Sequence, residues 1–186
     1  MIVDLTPARP ELLEQAAELL VDRMPEGWPT LAEARDHLRD MLDPARIVRG
    51  FVRGRHLLGW VGGLEHYPNH IWELHPLVVH RDHERRGVGR ALVEDLEARV
   101  LALGIHTLFV GTDDELGQTS LGGVDLYPDV LAHLARLQDT GGHPFGFYRR
   151  LGYSVIGVMP DANGLGKPDI LMARRLTTRA DPGARG

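Results

Sequence analysis

Three groups of residues in this 186-residue chain have types and spacings suited to chemistry. In the run Trp72-Glu73-Leu74-His75-Pro76-Leu77-Val78-Val79, Glu73, His75 and Leu77 stand two apart. In a strand they share one face, while Leu74 and Pro76 point the other way. A carboxylate beside an imidazole would then face one site, a pair able to accept and hold a proton. The same pattern also fits a carboxylate satisfied by polar groups of a neighbouring strand and a histidine used for packing. In Glu84-Arg85-Arg86-Gly87-Val88-Gly89-Arg90, two glycines sit where a loop becomes a helix. Unobstructed backbone N–H groups and the helix dipole can face an anion there, and Arg85, Arg86 and Arg90 add positive charge. A lone G-x-G fits a solvated basic loop equally well, and the third glycine of a dinucleotide fingerprint is missing. The third group is acidic: Asp113, Asp114, Glu115 and Asp125 could hold cationic amino groups through charge-assisted hydrogen bonds, or form an ordinary solvated loop.

Elements that must position these residues follow from periodicity. Leu12, Leu13, Ala16, Leu19 and Leu20 recur at helical spacing after Pro10, so a helix is expected from Pro10 to about Met24. Thr30 with Glu33 has the form of a capping box, and Leu31, Ala34, Leu38 and Met41 continue a second helix that ends before Pro44. Three β-rich runs, 47–53, 57–67 and 71–79, are separated by turn residues and read as an antiparallel meander. After the glycine loop, Val88, Leu92, Leu96 and Val100 define a helix that Gly104 should terminate, and residues 107–110 form a short buried strand. Strand, loop, helix and strand in that order predict a right-handed crossover with the two strands parallel or nearly so. Residues 111–142 form a long segment with a helical stretch at about 128–138, a length that usually serves a ligand or partner. A short helix at 144–150 and strands at 153–160 and 168–175 complete the chain.

The glycine loop, with its preceding strand and following helix, resembles the pyrophosphate motif of the GCN5-related N-acetyltransferase superfamily, Gln/Arg-x-x-Gly-x-Gly/Ala. Glu84 stands where that family usually has Gln or Arg. A narrower resemblance, to aminoglycoside 6′-N-acetyltransferases of the enterococcal chromosomal type, is carried by Trp72 to Val79, Gly111-Thr112-Asp113-Asp114, Asp125-Leu126-Tyr127, His143-Pro144 with Phe147-Tyr148, and Gly164 to Met172. It runs from the first helix to the last strand. The fold it implies is an α/β acetyltransferase fold, a mixed central sheet of about six to seven strands flanked by helices, with a long insertion after the fifth strand. One acetyltransferase domain over residues 1–176 and a frayed tail at 177–186 are expected.

The resemblance implies acetyl-CoA as co-substrate and direct transfer of its acetyl group to an amine, with coenzyme A leaving as a thiolate. Glu73 and His75 would hold the acceptor, with Glu73 also taking its proton. The main-chain N–H of Leu77 would polarise the thioester carbonyl, and the main chain of Val78 and Val79 would pair with the pantetheine arm. Arg85, Arg86, Gly87, Val88, Gly89 and Arg90 would receive the pyrophosphate. Tyr148 would protonate the departing sulfur with a phenol near its ordinary value of about 10, although Phe147 and Tyr148 also fit core aromatics. Asp113, Asp114 and Asp125 would hold cationic groups of the acceptor.

Composition limits the remaining classes. No cysteine is present, which excludes disulfides, cysteine nucleophiles and cysteine zinc sites. Histidines 66, 70, 75, 80 and 83 show no metal-ligand spacing, so no metal is expected. A net charge of −5 disfavours nucleic acid and suits a small cationic amine. No apolar run is long enough for a membrane span and no signal sequence is evident, so a cytoplasmic enzyme is expected. The family resemblance adds a homodimer. Two other readings remain: acetylation of another small polyamine or a protein amine, and a ligand-sequestering relative without transfer.

Overall fold

In a computed structural model the described residues are 1–176; the expected tail at 177–186 lies outside them. The described chain falls into two compact units, residues 1–106 with Leu176, and residues 107–175.

In the first unit, β1 (Ile2–Asp4), β2 (Ile47–Arg53), β3 (His56–Tyr67) and β4 (Ile71–Val79) pair antiparallel in sequence order. The meander is as expected, but β1 was not anticipated: three residues are too few to show a period. Helix α1 (Pro10–Arg23) begins with proline in its first turn, and α2 (Leu31–Met41) opens with the expected reciprocal Thr30–Glu33 box. Their apolar stripes cover one sheet face, where Leu12, Ala16, Leu20, Leu38 and Met41 form a core with Val48, Trp60 and Val78. Trp60 is fully enclosed, and its indole N–H donates to the Ala16 carbonyl at 3.1 Å, so this large ring leaves no polar atom unsatisfied. Helix α3 (Val88–Ala102) contacts β2, β3 and β4. Arg49, only 5 % exposed, ties it to the sheet by pairing with Asp95 of α3 at 2.7 Å and with Asp4 of β1.

The second unit contains β5 (Thr107–Asp113), β6 (Ser154–Met159) and β7 (Asp169–Arg175), with β7 in the middle and both pairings antiparallel. Strand β5 runs three residues past its expected end, so Asp113 closes a strand and does not start a loop. Helix α4 covers only Val130–Leu134, shorter than the periodicity suggested; Leu131 is exposed, so its stripe is not stabilised by burial. Helix α5 spans Phe145–Arg150.

Candidate functional site

Strand β4 carries the proton-handling candidates, and its register changes in the middle. Gly63 pairs with Leu74, but Val61 pairs with Leu77, so His75 and Pro76 together oppose Gly62 in a β-bulge. The room for it comes from glycine: a Cβ on Gly62 would lie 2.3 Å from the His75 carbonyl oxygen and 2.5 Å from Met41 Cε. The extra residue corrects one expectation. Glu73 and His75 stay on the α1–α2 side, but Leu77 turns to the opposite face, the one carrying Val61 and Leu74, because partners in an antiparallel pair share a side. Its expected contribution is through the main chain, which a bulge leaves locally out of the regular ladder. Val78 points back to the α1–α2 core and is buried, while Val79 is half-buried.

Around His75 the structure assembles two aromatic neighbours that the sequence reading missed. Trp28, between α1 and α2, and His37 of α2 lie with their ring centroids 5.7 and 5.5 Å from that of His75, and 4.7 Å from each other. Burial, reinforced by His75 and Arg46 and opposed by Asp40, lowers the His37 pKa from 6.5 to about 4, so this imidazole is neutral at pH 7. Its Nε2 is buried without a hydrogen-bond partner. The sequence signal for His37 was its position at the margin of the α2 stripe, three residues after Ala34 and four before Met41. Glu73 is matched instead by His66, whose Nδ1 lies 3.1 Å from Glu73 Oε2.

Beyond β4, a short 3₁₀ turn (Arg81–His83) leads into the glycine loop. Gly87 caps α3 at φ 85°, a left-handed conformation that suits a residue without Cβ, and Arg85 is left-handed at φ 56°. The first turn of α3 has neither a side-chain cap nor an acidic residue. Its N–H groups and dipole are thus arranged for an anion, with Arg85, Arg86 and Arg90 exposed beside them and Gly89 half-buried after buried Val88. Glu84 is paired with Arg23 of α1, and Arg81 with Asp22 at 2.6 Å.

In the second unit the acidic residues separate. Asp113 is exposed and accepts from Asn163 Nδ2 at 2.5 Å. Asp125 is exposed and caps its own turn by accepting from the Tyr127 N–H at 3.0 Å. Asp114 departs from the expected exposed acidic face. It is 1 % exposed, and its two oxygens accept from the N–H groups of Gln118 and Thr119 and from the Thr119 hydroxyl at 2.6 to 2.9 Å. A carboxylate so occupied organises the loop and has little capacity left for a ligand amine. Asp139 similarly gathers the N–H groups of Gly141, Gly142 and His143, which lower its pKa.

His143 is buried, and its tautomer follows from its contacts. Nδ1 accepts from the Phe145 N–H at 3.2 Å, so Nε2 carries the proton directed at the Asp113 carbonyl, 3.0 Å away. Burial lowers its pKa. Tyr148, the fourth residue of α5, is 5 % exposed, with Phe147 and Tyr153 ring centroids 5.0 and 5.5 Å away. The expected phenol of ordinary acidity is corrected here: burial raises its pKa well above 10. Among the described residues, no group of three or more histidines and acids is placed to hold a metal ion, and no helix is long and apolar enough to cross a membrane.

Residues 13–122 match the acetyltransferase (GNAT) family model. The fold is similar to that of a crystallised aminoglycoside 6′-N-acetyltransferase complexed with coenzyme A, with 36 % identity and a TM-score of 0.90 over 97 % of this chain and 99 % of the other. The aminoglycoside 6′-N-acetyltransferase from Enterococcus faecium matches at 36 % identity and a TM-score of 0.87 with the same coverage. A type Ii aminoglycoside 6′-acetyltransferase matches at 32 % and 0.75, again over 97 % and 99 %. No curated protein matches in sequence. A left-handed glycine at an uncapped helix start, the bulged fourth strand and near full-length likeness to acetyltransferases agree with the family match: the chain belongs to the GNAT acetyltransferase family.

Proposed function

We propose that the protein transfers the acetyl group of acetyl-CoA to a primary amine of an aminoglycoside, the 6′-amine, by direct attack within a ternary complex. The observation carrying this reading is the 36 % identity to an aminoglycoside 6′-N-acetyltransferase across 97 % of the chain. Residues 1–176 act as one acetyltransferase domain. The uncapped α3 start with Gly87 and Gly89, flanked by Arg85, Arg86 and Arg90, fits a pyrophosphate, and Val88 anchors that turn in the core. The main chain of Val78 and Val79 pairs with the pantetheine arm.

The thioester supplies an activated acetyl group and a sulfur leaving group. Around it this chain's residues bind, orient and move protons. Glu73 and His75 hold the acceptor, and Glu73 takes the proton that frees the amine lone pair, directly or through water. The Leu77 N–H donates to the carbonyl oxygen as charge grows there. The amine nitrogen bonds to the carbonyl carbon, the carbon–sulfur bond breaks, and Tyr148 hands a proton to the sulfur; the second proton, which the nitrogen sheds as the amide forms, returns through water to the phenolate, giving an amide, a thiol and a restored phenol. Asp113 and Asp125 hold the other amino groups of the acceptor, with Asp114 shaping the loop beside Asp113. Exposed Ile156 and Met159 on β6, which among the described strands pairs with β7 alone, support a homodimer. Use of acetyl-CoA puts the reaction in the cytoplasm, where acetylation would confer aminoglycoside resistance.

Thiol release with kanamycin, spermidine and a lysine peptide tests the reading. Strong acetyl-CoA-dependent release with kanamycin is expected. Preference for spermidine or the peptide would move the acceptor class, and coenzyme A binding without release would leave a sequestering protein.

A further inference from the structure

The loop proposed to receive the pyrophosphate carries a carboxylate, Glu84, three residues before its first glycine. A negative charge next to a polyanion opposes binding, so its retention requires compensation. The last turn of α1 supplies it. Consecutive residues Asp22 and Arg23 pair with opposite charges, Asp22 with Arg81 at the start of the 3₁₀ turn and Arg23 with Glu84 just after it. Neither pair is buried: the side chains are 30 to 58 % exposed. Ion pairs this exposed add little to folding stability, which turns attention to what their charges do locally. Arg23 brings a guanidinium from a different element to the carboxylate that stands just before the glycines of the loop.

We propose that Arg23 is a positioning residue for acetyl-CoA, cancelling the charge of Glu84 and holding that side chain so that the α3 N-terminus and Arg85 and Arg86 can receive a pyrophosphate. The inference rests on the phosphate-loop assignment made above. It depends on the glutamate: the α1 guanidinium meets the charge that Glu84 places in the loop. A mere clip between helix and loop would behave differently, since removing either partner would then release the loop and weaken binding.

Coenzyme A affinity, measured by calorimetry at low salt, distinguishes these behaviours in four proteins: wild type, Arg23→Ala, Glu84→Gln and the double variant. Arg23→Ala should bind about tenfold more weakly, because it exposes an uncompensated carboxylate. Glu84→Gln should bind at least as tightly as wild type, and the double variant should return to within about twofold of it. Melting temperatures should agree within about 2 °C, as expected of an exposed pair. Unchanged affinity in Arg23→Ala, or a double variant as weak as Arg23→Ala, would overturn the proposal. Pantetheine, which lacks the pyrophosphate, is the second probe. Wild-type protein that binds pantetheine as tightly as coenzyme A would overturn the phosphate-loop assignment and the inference with it. Preference for coenzyme A together with indifference to Arg23→Ala would overturn the inference alone.

Discussion

Burial keeps the Tyr148 phenol protonated at every pH at which transfer can be assayed, because its pKa lies above the ordinary value of 10. That makes it a dependable donor and a reluctant acid, suited to a hydrogen bond or proton delivered only as thiolate charge develops. Tyr148→Phe keeps the ring against Phe147 and Tyr153 and removes the hydroxyl alone. The rate of a single turnover from preloaded acetyl-CoA should fall about tenfold or more, with coenzyme A affinity unchanged; a wild-type rate would return Tyr148 to the core. His37 yields a prediction about pH. Its folded-state pKa is depressed from 6.5 to about 4 by burial, then by His75 and Arg46, against Asp40. Between those values the unfolded chain binds the proton and the folded chain does not, so the contribution is present above pH 6.5 and is lost as pH falls towards 4. Allowing for partial exposure, it amounts to roughly 1–2 kcal/mol. His37→Gln should flatten the fall of melting temperature between pH 6.5 and 4, and an unchanged slope would show that other groups produce it.

At the scale of elements, the β4 bulge decides which side chains share a face. It needs the missing Cβ of Gly62, since the clashing atom at 2.3 Å belongs to the His75 backbone and cannot rotate away. Gly62→Ala should therefore cost about 1–3 kcal/mol of stability through overpacking, visible in a denaturant midpoint. Because the same push moves the carbonyl of His75, acceptor KM should rise even where the variant remains folded. A variant with wild-type stability and KM would mean that the bulge tolerates a side chain. Asp114 shows the same dependence of role on element: β5 continues to Asp113, and the next residue becomes the buried carboxylate on which residues 118 and 119 close their turn.

Over the whole molecule the chain carries a net charge of −5 while exposing a local run of arginines, Arg85, Arg86 and Arg90, at the proposed phosphate loop. The two proposed substrates have opposite charge, and each is attracted by the part of the surface that opposes it. Raising ionic strength should therefore raise KM for both, the acceptor through screening of acidic groups and acetyl-CoA through screening of the arginine loop. Asp113→Asn should reduce the salt slope for kanamycin by a measurable fraction and leave that for acetyl-CoA unchanged. Equal slopes in variant and wild type would remove Asp113 from acceptor binding.

The order of helices and strands after β1, the meander, the capping box at Thr30 and the glycine cradle were legible in the sequence because each depends on neighbours within a few residues. Periodicity, caps and left-handed glycines are local properties, and Gly87 is left-handed where the loop pattern required an unobstructed turn. The family motifs were legible for the same reason, being short runs at fixed spacing. Tertiary structure alone decided the rest. Alternation placed Leu77 with Glu73 and His75, but the bulge that separates them is set by pairing with β3, a partner ten or more residues away in the chain. Trp28 and His37 reach His75 only when α2 lies on the sheet, and Arg23 meets Glu84 across 61 residues. Acid, aromatic and imidazole were all visible as residue types; burial, which depends on what the fold brings against them, made Asp114 a loop anchor, Tyr148 a weaker acid and His37 a neutral base.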